Sequence, residues 1–224
     1  MPAPTPTHGP GPTVVALAPG QQNPVADGLS AHPLDQATAA SDEAVLPAFC
    51  PEGRLDHVRA QVRRCLDLGI RRFRVGSLYG LAVLAGAGAG DDCRVTAGFP
   101  LPVANSAAVQ LLLRLGVRRM TAWVELDQGA LHELLAASPP CLETFTYGRL
   151  PLLSTRASLP VHGAVRDDRG HAYHIRTDGE LTLLLPAEPL RLPPQAGAAE
   201  FISLAHTEWN ETPTRTFNYG RDWP

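Results

Sequence analysis

The richest run of chemically capable side chains lies at residues 143–156, ETFTYGRLPLLSTR. It reads as an alternating strand, Phe145 and Tyr147 on one face and Thr144 and Thr146 on the other. The strand ends at Gly148 and is followed by Arg149, Pro151 and Arg156. Guanidiniums just past a strand end carry fixed charge in a forked geometry that matches a carboxylate or another oxyanion. Arg149 and Arg156 are therefore expected to bind substrate; the alternative is that they brace the loop on backbone carbonyls or on Glu143. Glu125 ends the preceding strand and offers a general base, or otherwise a helix N-terminal acid. Asn105 is a candidate substrate contact that a helix N-cap role also explains. Tyr147 either stacks on a substrate ring or packs in the core.

Other reactive types carry less. Ser158 has no positioned base, because His162 lies only four residues away on a loop. His171 and His174 are three apart on a strand, face opposite sides and make no metal pair. Cys50, Cys65, Cys93 and Cys141 show no CxxC or CxxH spacing and read as free thiols of a cytoplasmic protein. A four-cysteine iron–sulfur site assembled in space is the alternative. No cofactor is expected. The formal net charge of −3 argues against a generic polyphosphate-binding surface and leaves room for a local basic site.

The elements that position these residues follow from periodicity. Residues 1–43 are rich in Pro, Ala, Gly, Thr and Gln, a composition expected to stay disordered because it buries too little apolar surface. No stretch approaches the roughly 18 apolar residues of a membrane span. Strand candidates begin near residues 45, 72, 94, 119 and 142, and helix candidates lie between them. That spacing is what repeated βα units with short connections produce. Residues 44–158 are thus read as an α/β array, a partial (half) TIM-type barrel, since five such strands are too few to close eight. Its first strand, AVLPAF, is then an apolar edge that needs a partner. Residues 159–206 read as a β-hairpin extension, with a turn at Thr177-Asp178-Gly179, and a last strand near 201–204. Residues 207–224 form a polar tail whose aromatics are expected to pack back on the body.

Several pieces in order, AVLPAFCPEGRLDHVRAQVRRCLDLGIRRFRVGSLYGLAVL, VTAGFPLPVANSAAVQLLLRLGVRRMT, LETFTYGRLPLLSTR and RGHAYHIRTDGELTLLLPAEPL, resemble the C-terminal half of the collagenase-like peptidases of unknown catalytic type (the "U thirty-two" family). The late TRTFNYGRDW adds to the likeness. The resemblance implies a barrel acting on a peptide or protein substrate at its C-terminal strand ends, with Glu143 joining Glu125 as a catalytic carboxylate. Glu143, Phe145 and Gly148 match the family's Glu-x-Phe-x-x-Gly, whereas Pro151 and Ser158 stand where the family has cysteines. Other members hydroxylate RNA or ubiquinone precursors, often with an iron–sulfur cluster, so a nucleic-acid partner is a further implication. The resemblance leaves two expectations. One is a peptidase, inactive as an isolated chain; the other is a non-catalytic half-barrel whose 44–49 edge docks on a partner chain.

Overall fold

β-Branched and apolar residues at short intervals, each run stopped by Gly, Pro or a helix cap, give a chain of brief strands and helices. The computed structural model describes residues 12–138 and 141–213. The described strands are β1 (Val14–Ala16), β2 (Leu29–Pro33), β3 (Glu43–Val45), β4 (Arg72–Val75), β5 (Arg94–Ala97), β6 (Val117–Thr121) and β7 (Leu142–Gly148). They continue as β8 (Leu153–Thr155), β9 (Gly163–Arg166), β10 (Ala172–Asp178), β11 (Leu181–Pro186), β12 (Leu190–Arg191) and β13 (Ala199–Ser203). Four helices alternate with the strands from β3 to β7: α1 (Leu55–Asp67), α2 (Leu78–Ala87), α3 (Ser106–Arg114) and α4 (Gln128–Ala137).

β1 to β7 lie side by side in chain order, all parallel, and β13 inserts between β7 and β1 to close an eight-stranded barrel. The architecture is the expected α/β, TIM-type one, but the barrel is whole rather than half. Two corrections explain the difference. Residues 12–43, expected to be disordered, supply β1 and β2, while residues 1–11 lie outside the described residues. Averaged over 43 residues the composition is that of a disordered segment, yet Val14, Val15, Leu17, Ala31 and Leu34 are all buried. Each short strand also gains ladder partners on both edges, which offsets its ordering cost. Second, β13 is not the last strand of the β extension; its Phe201 and Ile202 pair with Val14 and Val15 of β1. The edge at residues 44–49 is consequently not open. β3 pairs with β2 on one side and β4 on the other, so its partner comes from this chain.

The helices build the outer layer where they exist. α1 turns Val58, Val62 and Cys65 onto Phe73 and Val75 of β4, and α3 turns Val109 and Leu112 onto Val117 and Met120 of β6. No helix covers β13, β1 and β2 among the described residues. Leu17, Val25 and Leu204 close that flank instead, together with Tyr147, whose ring meets Trp209 edge-on at 5.4 Å. Trp209 thus packs back on the body, while Phe217, Tyr219 and Trp223 of the tail lie outside the described residues.

Between β7 and β13 the chain leaves the barrel to form an antiparallel sheet in the order β8-β11-β10-β9. The expected β10–β11 hairpin is present, but Asp178 pairs with Leu181, so its two-residue turn is Gly179–Glu180, one residue past the Asp-Gly signal. β12 then returns antiparallel to the end of β7, beyond the point where β6 stops pairing with it. This small sheet hangs over the C-terminal ends of the barrel strands, where it forms the cleft described next.

Candidate functional site

Alternation along the strands sends every second side chain into the lumen. Arg74 enters from β4, Glu43 from β3, Thr96 from β5, Thr121 from β6 and Glu143 from β7. Arg74 is 3% exposed, Glu43 2% and Glu143 0%, so the three charges share one buried cluster. The Arg74 Nε donates to Glu43 Oε1 at 2.5 Å, and its Nη1 and Nη2 fork onto the two oxygens of Glu143, the second at 3.2 Å. Thr121 donates to Glu143 Oε1 at 2.6 Å, and Thr96 donates to Glu43 Oε2 at 3.3 Å. The guanidinium also lies 4.4 Å over the Phe201 ring. Burial works against the Arg74 charge, yet the carboxylates of Glu143 and Glu43 outweigh it and hold the guanidinium protonated above its ordinary value. Gly98 makes the arrangement possible, because a Cβ there would fall 2.8 Å from Arg74 Cγ.

Above this network the lumen turns apolar, with Val14, Ala31, Phe145 and Phe201 filling it. Above these lies a cleft lined by Phe99, Trp123, Val124 and Glu125 on the barrel side, and by Leu150, Pro151, Leu152, Pro186, Glu188 and Leu190 opposite. Phe99 and Trp123 stack with centroids 5.0 Å apart and planes within 9°. The indole Nε1 donates to Glu125 Oε2 at 3.3 Å, tying that carboxylate to the aromatic pair. The cavity proper is about 50 Å³, the size of an anchor for one side chain. Among the described residues its ionisable lining groups are two glutamates, which favour a neutral or cationic group seated among apolar walls.

The structure separates the residues that the sequence groups together. Glu125 lies on the cleft. Glu143 lies at the floor of the lumen with both oxygens engaged, and no proton-transfer partner other than Arg74 and Thr121 contacts it. Arg149 is not among the residues lining the cleft. Its fork donates to the carbonyls of Pro186, Ala187 and His206 and grips Glu211, which is the bracing alternative with Glu211 rather than Glu143 as the acid. The Glu211 carboxyl is held below the ordinary carboxylate value by that Arg149 hydrogen bond. Arg156 is exposed and lies 5.0 Å over the Phe49 ring, apart from the Arg149 clamp. Asn105 caps α3, its side-chain oxygen accepting from the Ala108 amide at 2.9 Å.

Tyr147 points away from the lumen. The pairing of β7 with β13 jumps from Phe145 to Tyr147, so the intervening Thr146 is an extra residue that flips the later side chains to the outer face. There the Tyr147 hydroxyl donates to the carbonyls of Glu208 and Glu211 at 3.2 and 3.1 Å. The four cysteines are free thiols, and burial pushes each of them above its ordinary value. No group of three His, Cys, Asp or Glu with metal-site geometry occurs among the described residues. No described helix is long and apolar enough to cross a membrane.

The functional groups that the sequence reading misses are Arg74, Glu43, Trp123 and Glu188. Arg-Phe-Arg-Val in β4 carried a signal for the first of these: two arginines on one face of a strand whose other face is apolar. Trp123 and Glu188 carried none, since they come from segments that meet only in three dimensions. Compared with protein-family models, curated proteins and solved structures, the chain matches none.

Proposed function

We propose that the chain is a peptide-binding barrel of the collagenase-like type, which anchors an apolar or proline side chain of an extended peptide at its C-terminal mouth. The observation that carries this reading is the Phe99–Trp123 stack facing Pro151 and Pro186 across a narrow slot, with Glu125 on its rim. Parallel aromatic faces suit proline rings and aliphatic side chains, and the paired glutamates favour a neighbouring cationic residue. The position at the C-terminal strand ends is where barrel enzymes assemble their sites. The four unpaired thiols support a cytoplasmic setting.

Peptide hydrolysis is the second reading, favoured by Glu125 and Glu188 both lining the slot. One carboxylate would then take a proton from water while the other delivers one to the leaving amine. Glu143 has no part in that step. The test is fluorescence anisotropy of dye-labelled proline-rich peptides, with and without an arginine, followed by mass spectrometry of the incubated peptides. Saturable binding that Trp123→Ala abolishes and Glu125→Gln weakens for the arginine-bearing peptide alone supports binding. Cleavage lost in Glu125→Gln supports the peptidase. Absence of saturable binding, or binding unchanged in Trp123→Ala, overturns the proposal.

A further inference from the structure

The opposite, N-terminal mouth of the barrel has no role in the reading above, yet it holds the larger cavity, about 520 Å³, within the range of small-molecule pockets. Arg72, Arg94, Arg118 and Arg119 line it, Glu43 and Thr96 form its floor, and Asp91 and Asp92 stand at its rim. The charges do not cancel locally. Glu43 is committed to Arg74 at 2.5 Å and Asp92 to Arg71 at 2.8 Å, which leaves the exposed Asp91 against four arginines. Among the described residues, the side chains of Arg72, Arg94 and Arg118 make no hydrogen bond or ion pair, and Arg119 makes one long bond, 3.5 Å, to the Pro12 carbonyl. Arg72 and Arg94 are moreover direct partners on adjacent parallel strands. Strands are about 4.8 Å apart, and like charges placed side by side on one face are destabilising.

Arginines at this end of a barrel can serve the carbonyl ends of helices, and Arg71 does so by donating to Leu66 and Ile70. Arg72, Arg94 and Arg118 do not. Phe73 and Val75 face the helices, which by alternation turns Arg72, like Arg74, into the lumen. The chain carries no lysine, so the choice of arginine itself says nothing; the convergence of four on one cavity does. With a formal net charge of −3 the protein as a whole is no general polyanion surface, so binding of this kind needs a local basic cluster.

We propose that the N-terminal mouth binds a small phosphate-bearing molecule, with Arg72 and Arg94 gripping the phosphate oxygens from adjacent strands and Arg118 and Arg119 closing on them. Each guanidinium presents paired N–H donors that match phosphate oxygens, and the anion relieves the Arg72–Arg94 repulsion. The proposal is independent of what the C-terminal cleft does.

The experiment is isothermal titration of the full chain with inorganic pyrophosphate at low ionic strength, with inorganic phosphate and citrate as comparators. One-site binding by pyrophosphate is expected, tighter than phosphate or citrate. It should weaken by about tenfold or more when salt is raised toward 1 M, and by at least about tenfold in Arg72→Gln/Arg94→Gln. The same double variant should melt higher than the parent without ligand, because a like-charge pair is gone, and should lose the rise in melting temperature that pyrophosphate gives the parent. Should the double variant fail to fold, Arg118→Gln, an exposed position, carries the affinity test alone. Absent binding, tighter binding of citrate, or affinity unchanged in these variants overturns the proposal. A lower melting temperature in a folded Arg72→Gln/Arg94→Gln chain also overturns it, by assigning the arginines to structure.

Discussion

Replacing Arg74 by methionine removes the guanidinium that two buried carboxylates share while keeping most of the side-chain volume. Glu143 is fully buried, so its carboxylate cannot reach water when its partner goes, whereas Glu43, 2% exposed, borders the N-terminal cavity. Breaking a buried pair from one side costs about 3–5 kcal/mol, because an uncompensated charge is left in a low-dielectric space. Here that charge is Glu143, with Thr121 as its remaining side-chain donor among the described residues. For a domain of this size about 3–5 kcal/mol corresponds to roughly 6–20 °C in Tm. Thermal melts by circular dichroism measure the loss. Adding Glu43→Gln and Glu143→Gln to Arg74→Met removes every charge and should recover most of the loss. An Arg74→Met chain that melts within about 2 °C of the parent would refute the reading of the lumen as a charge-coupled core.

Gly148→Ala should abolish folding, with a cost above about 4 kcal/mol, because φ is 127° and the new Cβ would fall 1.9 Å from the Ser203 carbonyl oxygen; soluble expression and a proton NMR spectrum check this. Arg149→Met strands three carbonyls and Glu211, and should cost about 2–4 kcal/mol while speeding proteolysis of residues 205–213, measured by limited digestion and mass spectrometry. Acid should destabilise the parent through two routes of the same sign. Burial holds His206 and His32 below their ordinary 6.5, so the unfolded chain binds the extra protons and stability falls as pH drops below about 6.5. The Glu211 carboxylate, lowered by its Arg149 hydrogen bond, contributes stability above its unfolded value near 4.5 that is lost as pH falls through the folded one. A melting temperature flat from pH 7 to 5 would contradict the histidine assignment, and one flat from pH 5 to 3 the Glu211 assignment.

The middle of the chain was legible because helices and strands alternate there with clear punctuation. Asn105 and Asp127 cap α3 and α4 as their types suggest, each accepting from the amide three residues on. The β10–β11 hairpin was equally plain, although its turn sits one residue past the Asp-Gly signal. Both ends of the barrel were not. β1 is three residues long, lies in a proline-rich stretch and pairs with β13, almost two hundred residues away. No local window contains the information that those two segments are neighbours. The site divided in the same way: Glu125 follows its strand into the cleft, but a one-residue bulge at Thr146 carried Tyr147 to the outer face.

The sequence by itself determined the α/β class, the βα rhythm from β3 to β7, the antiparallel hairpin, and an arginine just past the end of β7. These rest on propensity, caps and turn chemistry that act within a few residues. Tertiary structure alone decided that the barrel closes, that Arg149 grips Glu211, and that Glu143 neutralises a lumen arginine. It also brought four arginines together at one mouth and Trp123 against Pro151 and Pro186 at the other. The physical reason is shared by all of these. Closure is a contact between chain ends, and the partner of a buried charge is fixed by which strands the closed barrel turns inward.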